Sequence, residues 1–424
     1  MKKNRINVFI TAITVCFILA NNNVTKAQQN WQWRGENRNG MYNETGLLKE
    51  WPANGPQLLW KFEGLGEGHT SVAIANAKIY ATGMHDDILM LYVFDMNGKL
   101  FTEKEIGKEW NESWNGTRSS VCINNGKLYI FNALGTLFCL DETTLNEVWK
   151  KDLLTEFDGR NLMFGMTENP LIVGNTIYMT PGGEKYNMVA LDKNTGAVIW
   201  FSQGTGLPSS YCSPLYIGDQ SVPMIVTWMS ALPVEGAARD AYRDNILVAF
   251  NAENGQLLWS QTLPSQNDIN PNIPIYIDGK ILAATGYRGG TWLISLKNGG
   301  KESEVTWKNA EMDNQMHGII KVGDYLYGSG HQNRNWYCVD WKTGDTKYKV
   351  PDLAPANVIY ADGMLYVYSE RGTMNLVKPN PEKFELVSSF NVTLGTNQHW
   401  AHTVIHQGIL YVRHGEALMA YKIK

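Results

Sequence analysis

The stretch Ala190-Leu191-Asp192-Lys193-Asn194-Thr195-Gly196-Ala197-Val198-Ile199-Trp200 decides the fold. It reads as an apolar strand ending in an Asp that can accept from turn amides, a tight Thr-Gly turn, and a strand that closes on Trp. Just upstream, Leu171-Ile172-Val173 meets a Gly174-Asn175 turn and Thr176-Ile177-Tyr178. The unit therefore holds four short strands, each bounded by turn residues.

The same phrase returns along the chain. Gly126-Lys127-Leu128-Tyr129 leads to Leu140-Asp141 and Val148-Trp149, and Ile246 to Phe250 leads to Asn254-Gly255 and Leu258-Trp259. Eight units are anchored near Tyr80, Tyr129, Tyr178, Ile225, Leu282, Tyr327, Tyr366 and Tyr411. Their mean spacing is about 47 residues, the length of a four-stranded propeller blade. The last unit lacks its final strand, and Leu58-Leu59-Trp60-Lys61-Phe62, ahead of the first unit, carries the missing ending. An N-terminal strand that completes the last blade closes the ring and protects its edges. An open sandwich array would leave that segment unpaired. The sequence thus predicts an all-β, eight-bladed β-propeller of four-stranded blades over residues 57–424, preceded by an arm over 28–56. Trp60, Trp149, Trp200, Trp259 and Trp307 are read as packing between blades, since each buries a large ring.

The 424 residues are 44% hydrophobic and 18% charged, which excludes a disordered polymer. The net charge is −4 and no basic run occurs, which argues against nucleic acid as partner. Lys2, Lys3 and Arg5 precede the apolar run Val8 to Ala20, and Thr25 and Ala27 supply small residues before a polar stretch. That pattern is a secretory signal peptide over residues 1–27, too short to span a bilayer. A soluble periplasmic or secreted protein, monomeric and without a membrane span, is the expectation. Beyond Cys16, inside the apolar run, only Cys122, Cys139, Cys212 and Cys338 remain, with no C-x-x-C spacing. Buried, unbridged thiols are expected: Cys122 and Cys139 fall on strands two apart in one sheet, roughly 9–10 Å from each other.

The A-x-D-x-x-T-G-x-x-x-W phrase at 190–200 resembles the repeat of pyrroloquinoline-quinone (PQQ)-like propellers, and the resemblance covers nearly all of the chain beyond its leader. That family includes quinoprotein alcohol dehydrogenases, a non-catalytic lipoprotein of outer-membrane β-barrel assembly, and secreted proteins without known activity. The opening Trp31-Gln32-Trp33-Arg34-Gly35-Glu36-Asn37-Arg38-Asn39-Gly40 resembles the secreted branch, as does His399-Trp400-Ala401-His402 with Leu410-Tyr411-Val412-Arg413-His414-Gly415. The resemblance implies PQQ with Ca²⁺ as the cofactor to consider. The adjacent Cys-Cys pair of quinoprotein dehydrogenases is missing, and only Glu168 falls where a calcium-binding Glu would stand. Arg34 and Arg38 are expected to tie the arm to a blade edge.

In a propeller the loop leading into each innermost strand opens near the axis. Counting back from the anchors places His69, Arg118, Glu168, Tyr211, Asn272, His317, Asn357, His399, Trp400 and His402 there as candidate ligand-binding residues of an axial funnel. Any metal is left unassigned, because no helix carries H-E-x-x-H. Gly64-x-Gly66-x-Gly68 opens no helix and is a turn, not a phosphate loop. Three functions follow. The first is a binding or scaffold module for a periplasmic or outer-membrane protein or a small ligand. The second is a PQQ-dependent alcohol or sugar dehydrogenase. The third is acid/base chemistry at His317 and His402.

Overall fold

The computed structural model describes residues 31–424 apart from 233–235, 237 and 239, so the expected leader lies outside the described residues. Eight sheets, each with four antiparallel strands, follow one another along the chain. Their innermost strands are Ala73–Ala75, Cys122–Asn124, Leu171–Val173, Leu215–Ile217, Ile275–Ile277, Ile320–Val322, Ala356–Ala361 and Val404–His406. We number the blades 1 to 8 in that order. The ring closes as expected: Gln57–Glu63 is the outermost strand of blade 8, antiparallel to Ala417–Lys422, with Trp60 opposite Ala420.

Among the described residues there is no single core. Buried apolar residues fall into clusters that each straddle neighbouring blades, one joining Tyr129 and Cys139 of blade 2 to Ile177 and Leu191 of blade 3. One larger cluster joins blades 7, 8 and 1 across the closure. The repeated Trp explains why. Trp149 Nε1 donates to Lys193 O of the next blade at 3.1 Å, as do Trp200 to Ala252 O, Trp259 to Gly300 O and Trp307 to Trp341 O. Each indole thus adds area and satisfies a turn carbonyl. Gly196 must be glycine twice over: its φ is +70°, and a Cβ there would meet the Trp149 ring at 2.9 Å. Asp141, Asp192 and Asp340 accept from the amides two and three residues on, as the turn pattern requires. The four cysteines are free and buried.

Arg413 locks the closure. Its buried guanidinium on blade 8 donates to Thr70 Oγ1 and, at 2.5 Å, to Thr82 O of blade 1. Burial pulls its pKa down to about 9.

The arm does something the sequence did not reveal. Trp31 O accepts from Ile123 N of blade 2 at 2.8 Å. Arg38 donates to Asn169 O and Pro170 O, at 2.9 and 3.0 Å, beside the innermost strand of blade 3. Met41–Tyr42 then pairs parallel with Tyr360 and Ala361 of blade 7 as a fifth strand. The arginines do tie the arm to blades, but to their inner edges, so the arm runs across the axis and stops the channel. Gly40 carries the turn: its amide donates to Arg34 O, and Arg34 Nη2 would lie 2.8 Å from a Cβ there.

Candidate functional site

Above that stopper the leading loops converge. They are held by a belt of short polar side chains that bridges six of the eight blade boundaries. Ser71 N donates to Ser120 Oγ (2.9 Å), Ser120 N to Asn169 Oδ1 (2.7 Å), and Asn169 N to Ser213 Oγ (2.8 Å). On the far side Asn272 Nδ2 donates to Asn314 Oδ1 at 2.6 Å, Asn357 Nδ2 to Trp400 O at 2.8 Å, and Ser71 Oγ to His402 O at 2.7 Å. Such bonds satisfy loop backbone that would otherwise be buried without partners. They fix the loops, and so the shape of what lies between them.

Between them is a cavity of about 380 Å³, within the range of small-ligand sites. Five of the ten expected residues line it: His69, Arg118, Tyr211, Trp400 and His402. The other five stand behind or beside the wall. Glu168 turns away to accept from Thr180 N and Oγ1, at 2.9 and 2.7 Å, and burial pushes its carboxyl up to about 8. Asn272 and Asn357 belong to the belt. His317 is buried and pairs through Nε2 with Glu370 at 3.0 Å. His399 stacks on His414 with ring centroids 3.6 Å apart and bonds Tyr368, away from the cavity lining.

Sequence reasoning missed Trp33, Trp114, Phe164, Tyr287, His331 and Glu370, all of which line the cavity. Three of them sit in hairpins between second and third strands, one or two residues after those strands end: Tyr287 in blade 5, His331 in blade 6 and Glu370 in blade 7. That recurring position, just past the second strand of a blade, is a legible signal. Trp33 arrives from the arm and forms the floor, its ring edge-on to His402 at 5.2 Å.

Most of the charge here is already spent. Arg118 donates to the carbonyls of Ser113, Trp114 and Gly116, so it braces its own loop. Glu370 Oε1 accepts from His317 Nε2 and, at 3.0 Å, from Trp400 Nε1; burial opposes its ionisation, yet these bonds hold the carboxyl below the usual range. His402 has a determined tautomer. Nδ1 faces Arg34 Nη1 at 3.1 Å, which can only donate, and Nε2 faces Met316 O at 3.1 Å, which can only accept. Burial and the Arg34 charge hold its pKa well below 6.5. With both nitrogens engaged it is a positioning group, which removes His402 as the expected acid/base.

His69 is the opposite case. Neither ring nitrogen has a partner and both are closed to solvent, while the ring packs on Trp400 at 5.1 Å. Burial, with Arg118 and Arg413 nearby, takes its pKa down to about 3. His331 Nδ1 is likewise unpartnered, and burial lowers its pKa to about 4. Among the described residues, no group of three or more His, Cys, Asp or Glu is placed to hold a metal ion. The lining is a poor fit for a PQQ centre: Glu168 is bonded to Thr180 and raised toward neutrality by burial, and Arg118, a cation that lines the cavity, already donates to three loop carbonyls.

Fold and repeat together define a PQQ-like eight-bladed propeller. Residues 52–350 match the family described as outer membrane protein assembly factor BamB, and the chain belongs to that PQQ-repeat family. A curated relative, the quinoprotein alcohol dehydrogenase PedH of Pseudomonas putida, is 24% identical over 285 residues. That match takes in 64% of this chain but only 41% of the relative, so the chain spans about two fifths of that enzyme's length. BamB from Moraxella catarrhalis superposes with a TM-score of 0.62 at 13% identity, over 87% of this chain and 99% of that one. A europium-containing methanol dehydrogenase gives 0.67 at 13% identity, over 92% and 91%. These structural likenesses speak to fold alone.

Proposed function

We propose that this protein is an exported binding propeller that holds a compact ligand in its axial funnel. One observation carries the reading: His69, whose two ring nitrogens have no protein partner, stands in the wall of a formed, aromatic-lined cavity beside Trp33. A native structure rarely leaves buried polar atoms orphaned without a ligand or water to meet them, since each costs about 1–3 kcal/mol. The leader pattern at residues 1–27 supports export to the periplasm or beyond. The belt around the throat supports a preformed site that changes little on binding.

The test is ligand-dependent thermal stabilisation of the full chain against a panel of compact neutral, anionic and cationic compounds, repeated with Trp114→Ala. A stabilising compound whose effect is lost in the variant supports the reading. Stabilisation by none, or equal stabilisation of both proteins, overturns it.

The relationship to quinoprotein alcohol dehydrogenase favours a second reading, in which a quinone and Ca²⁺ occupy the funnel. Dialysis of the protein against PQQ with Ca²⁺ separates the two. Retention of stoichiometric quinone chromophore would favour the dehydrogenase, and loss of the chromophore on gel filtration leaves the binding module. A protein partner, as an assembly-factor relationship suggests, would meet the funnel mouth at the exposed Trp114 and Met163.

A further inference from the structure

The funnel's chemistry narrows the ligand class, and this inference rests on the reading just given. We infer that the ligand is a neutral carbohydrate, with its terminal ring in the funnel and its remainder leaving sideways. The first observation is what the funnel still has to offer. Arg118, Arg34 and the Nε2 of His317 are committed to protein partners, as is Oε1 of Glu370. The buried polar atoms of the funnel lining that lack a protein partner belong to neutral groups, both nitrogens of His69 and Nδ1 of His331, and the phenol of Tyr287 holds only a 3.5 Å bond from Gln315 Nε2. A neutral imidazole offers one donor and one acceptor, and a phenol can do both. Sugar hydroxyls also donate and accept from one atom, so they match such a set without any charge to neutralise. An anion would have to compete with three loop carbonyls for Arg118, and a cation with His317 and Trp400 for Glu370.

The second observation is the walls. Trp400 lies 5.1 Å from His69 at 49° and 5.2 Å from Trp114 at 51°. These rings are tilted, so they form no parallel slot that would sandwich a flat base. They suit a puckered ring, whose polarised C–H bonds can rest on the electron-rich aromatic faces while its hydroxyls point to the neutral donors. Tyr211 leads into blade 4, four blades from the Trp400 loop of blade 8, so the funnel has an aromatic wall on its opposite side as well.

The third is an exit. A second cavity of about 540 Å³ shares Phe164, Tyr211, Ile269 and Tyr287 with the first and runs outward past Asn161, Asn267 and the Arg243–Asp268 ion pair. Amide groups and a paired Arg–Asp offer the same mixed donors and acceptors to further sugar units, and Met163 beside them is 78% exposed.

The experiment follows Trp fluorescence of the full chain during titration with glucose, N-acetylglucosamine, maltose and cellobiose, and in parallel with glucuronate, adenosine and free amino acids. At least one neutral sugar should saturate the signal, with the matched uronic acid about tenfold weaker. Trp114→Ala, at a half-exposed position, should weaken that sugar about tenfold. His69→Leu should abolish binding and His69→Gln should retain part of it, since the amide restores a neutral donor and acceptor. Absence of saturation by every sugar up to about 10 mM overturns the inference. So does tighter binding of glucuronate. If adenosine or an amino acid binds instead and Trp114→Ala weakens it, the carbohydrate class falls while the funnel reading stands. If a sugar binds but is indifferent to both substitutions, the inference and the funnel reading fall together.

Discussion

Replacing Arg38 by Met tests how the arm is anchored. Arg38 is 5% exposed, and its guanidinium donates at 2.9 and 3.0 Å to the carbonyls of Asn169 and Pro170, immediately before the innermost strand of blade 3. Its charge has no ion-pair partner among the described residues, and burial lowers its pKa only to about 10, so it remains protonated at neutral pH. Methionine keeps much of the side-chain volume but leaves both carbonyls without that donor, at about 1–3 kcal/mol each. Relief of the buried charge offsets part of this. A net loss of about 3 kcal/mol follows. With an unfolding entropy of about 2.1 cal/mol/K per residue, a propeller of this size should lose about 4 °C in Tm. Because the arm is the element released, trypsin should also cut faster after Arg34 and Lys49 while the far-ultraviolet spectrum stays unchanged. Arg38→Lys should recover only part of the loss, since one ammonium does not present the fork that meets two carbonyls. A Tm within about 1 °C of the wild type, with unaltered cleavage of the arm, would refute the anchoring.

Trp149→Ala should cost about 3–5 kcal/mol in denaturant unfolding, because it empties the blade 2–3 boundary and leaves Lys193 O with Tyr129 Oη in place of two donors; Trp149→Phe should cost clearly less. Glu168 has its pKa raised to about 8 by burial, so between pH 4.5 and 8 the native state holds a proton that the unfolded chain releases. Its contribution is fully present below about pH 4.5 and fades as pH rises toward 8, by up to about 1.4 kcal/mol per unit. Glu168→Gln should flatten that decline in urea titrations at stepped pH, and an unchanged slope would count against a protonated Glu168. Burial keeps His69 and His331 neutral, with pKa values near 3 and 4, so affinity for a funnel ligand should be level from pH 5 to pH 8. A drop centred near pH 6.5 would show that the imidazoles titrate normally.

The architecture was legible because the blade is a local unit. Strand, Asp-capped turn and Trp recur with nearly fixed spacing, and each Trp meets the turn of the next copy, so one repeat predicts its neighbour's surface. Closure by Leu58 to Phe62 was legible for the same reason. The site was less so. Leading-loop positions place a residue near the axis, but not where its side chain turns: Glu168 faces Thr180, and His399 stacks on His414. Whether a histidine is spent or free depends on partners far away in sequence, such as Arg34 on His402 across 368 residues. The arm carries no repeat, so nothing in its spacing disclosed that it crosses the axis and supplies Trp33 as a floor.

A crystal structure of the protein with the tightest-binding neutral sugar diffused in examines the proposal most directly. A pyranose should lie against Trp400 and Trp114, above Trp33, with a hydroxyl within hydrogen-bond distance of His69. Density for the sugar on the outer strands of the blades, with the funnel holding only water, would contradict it.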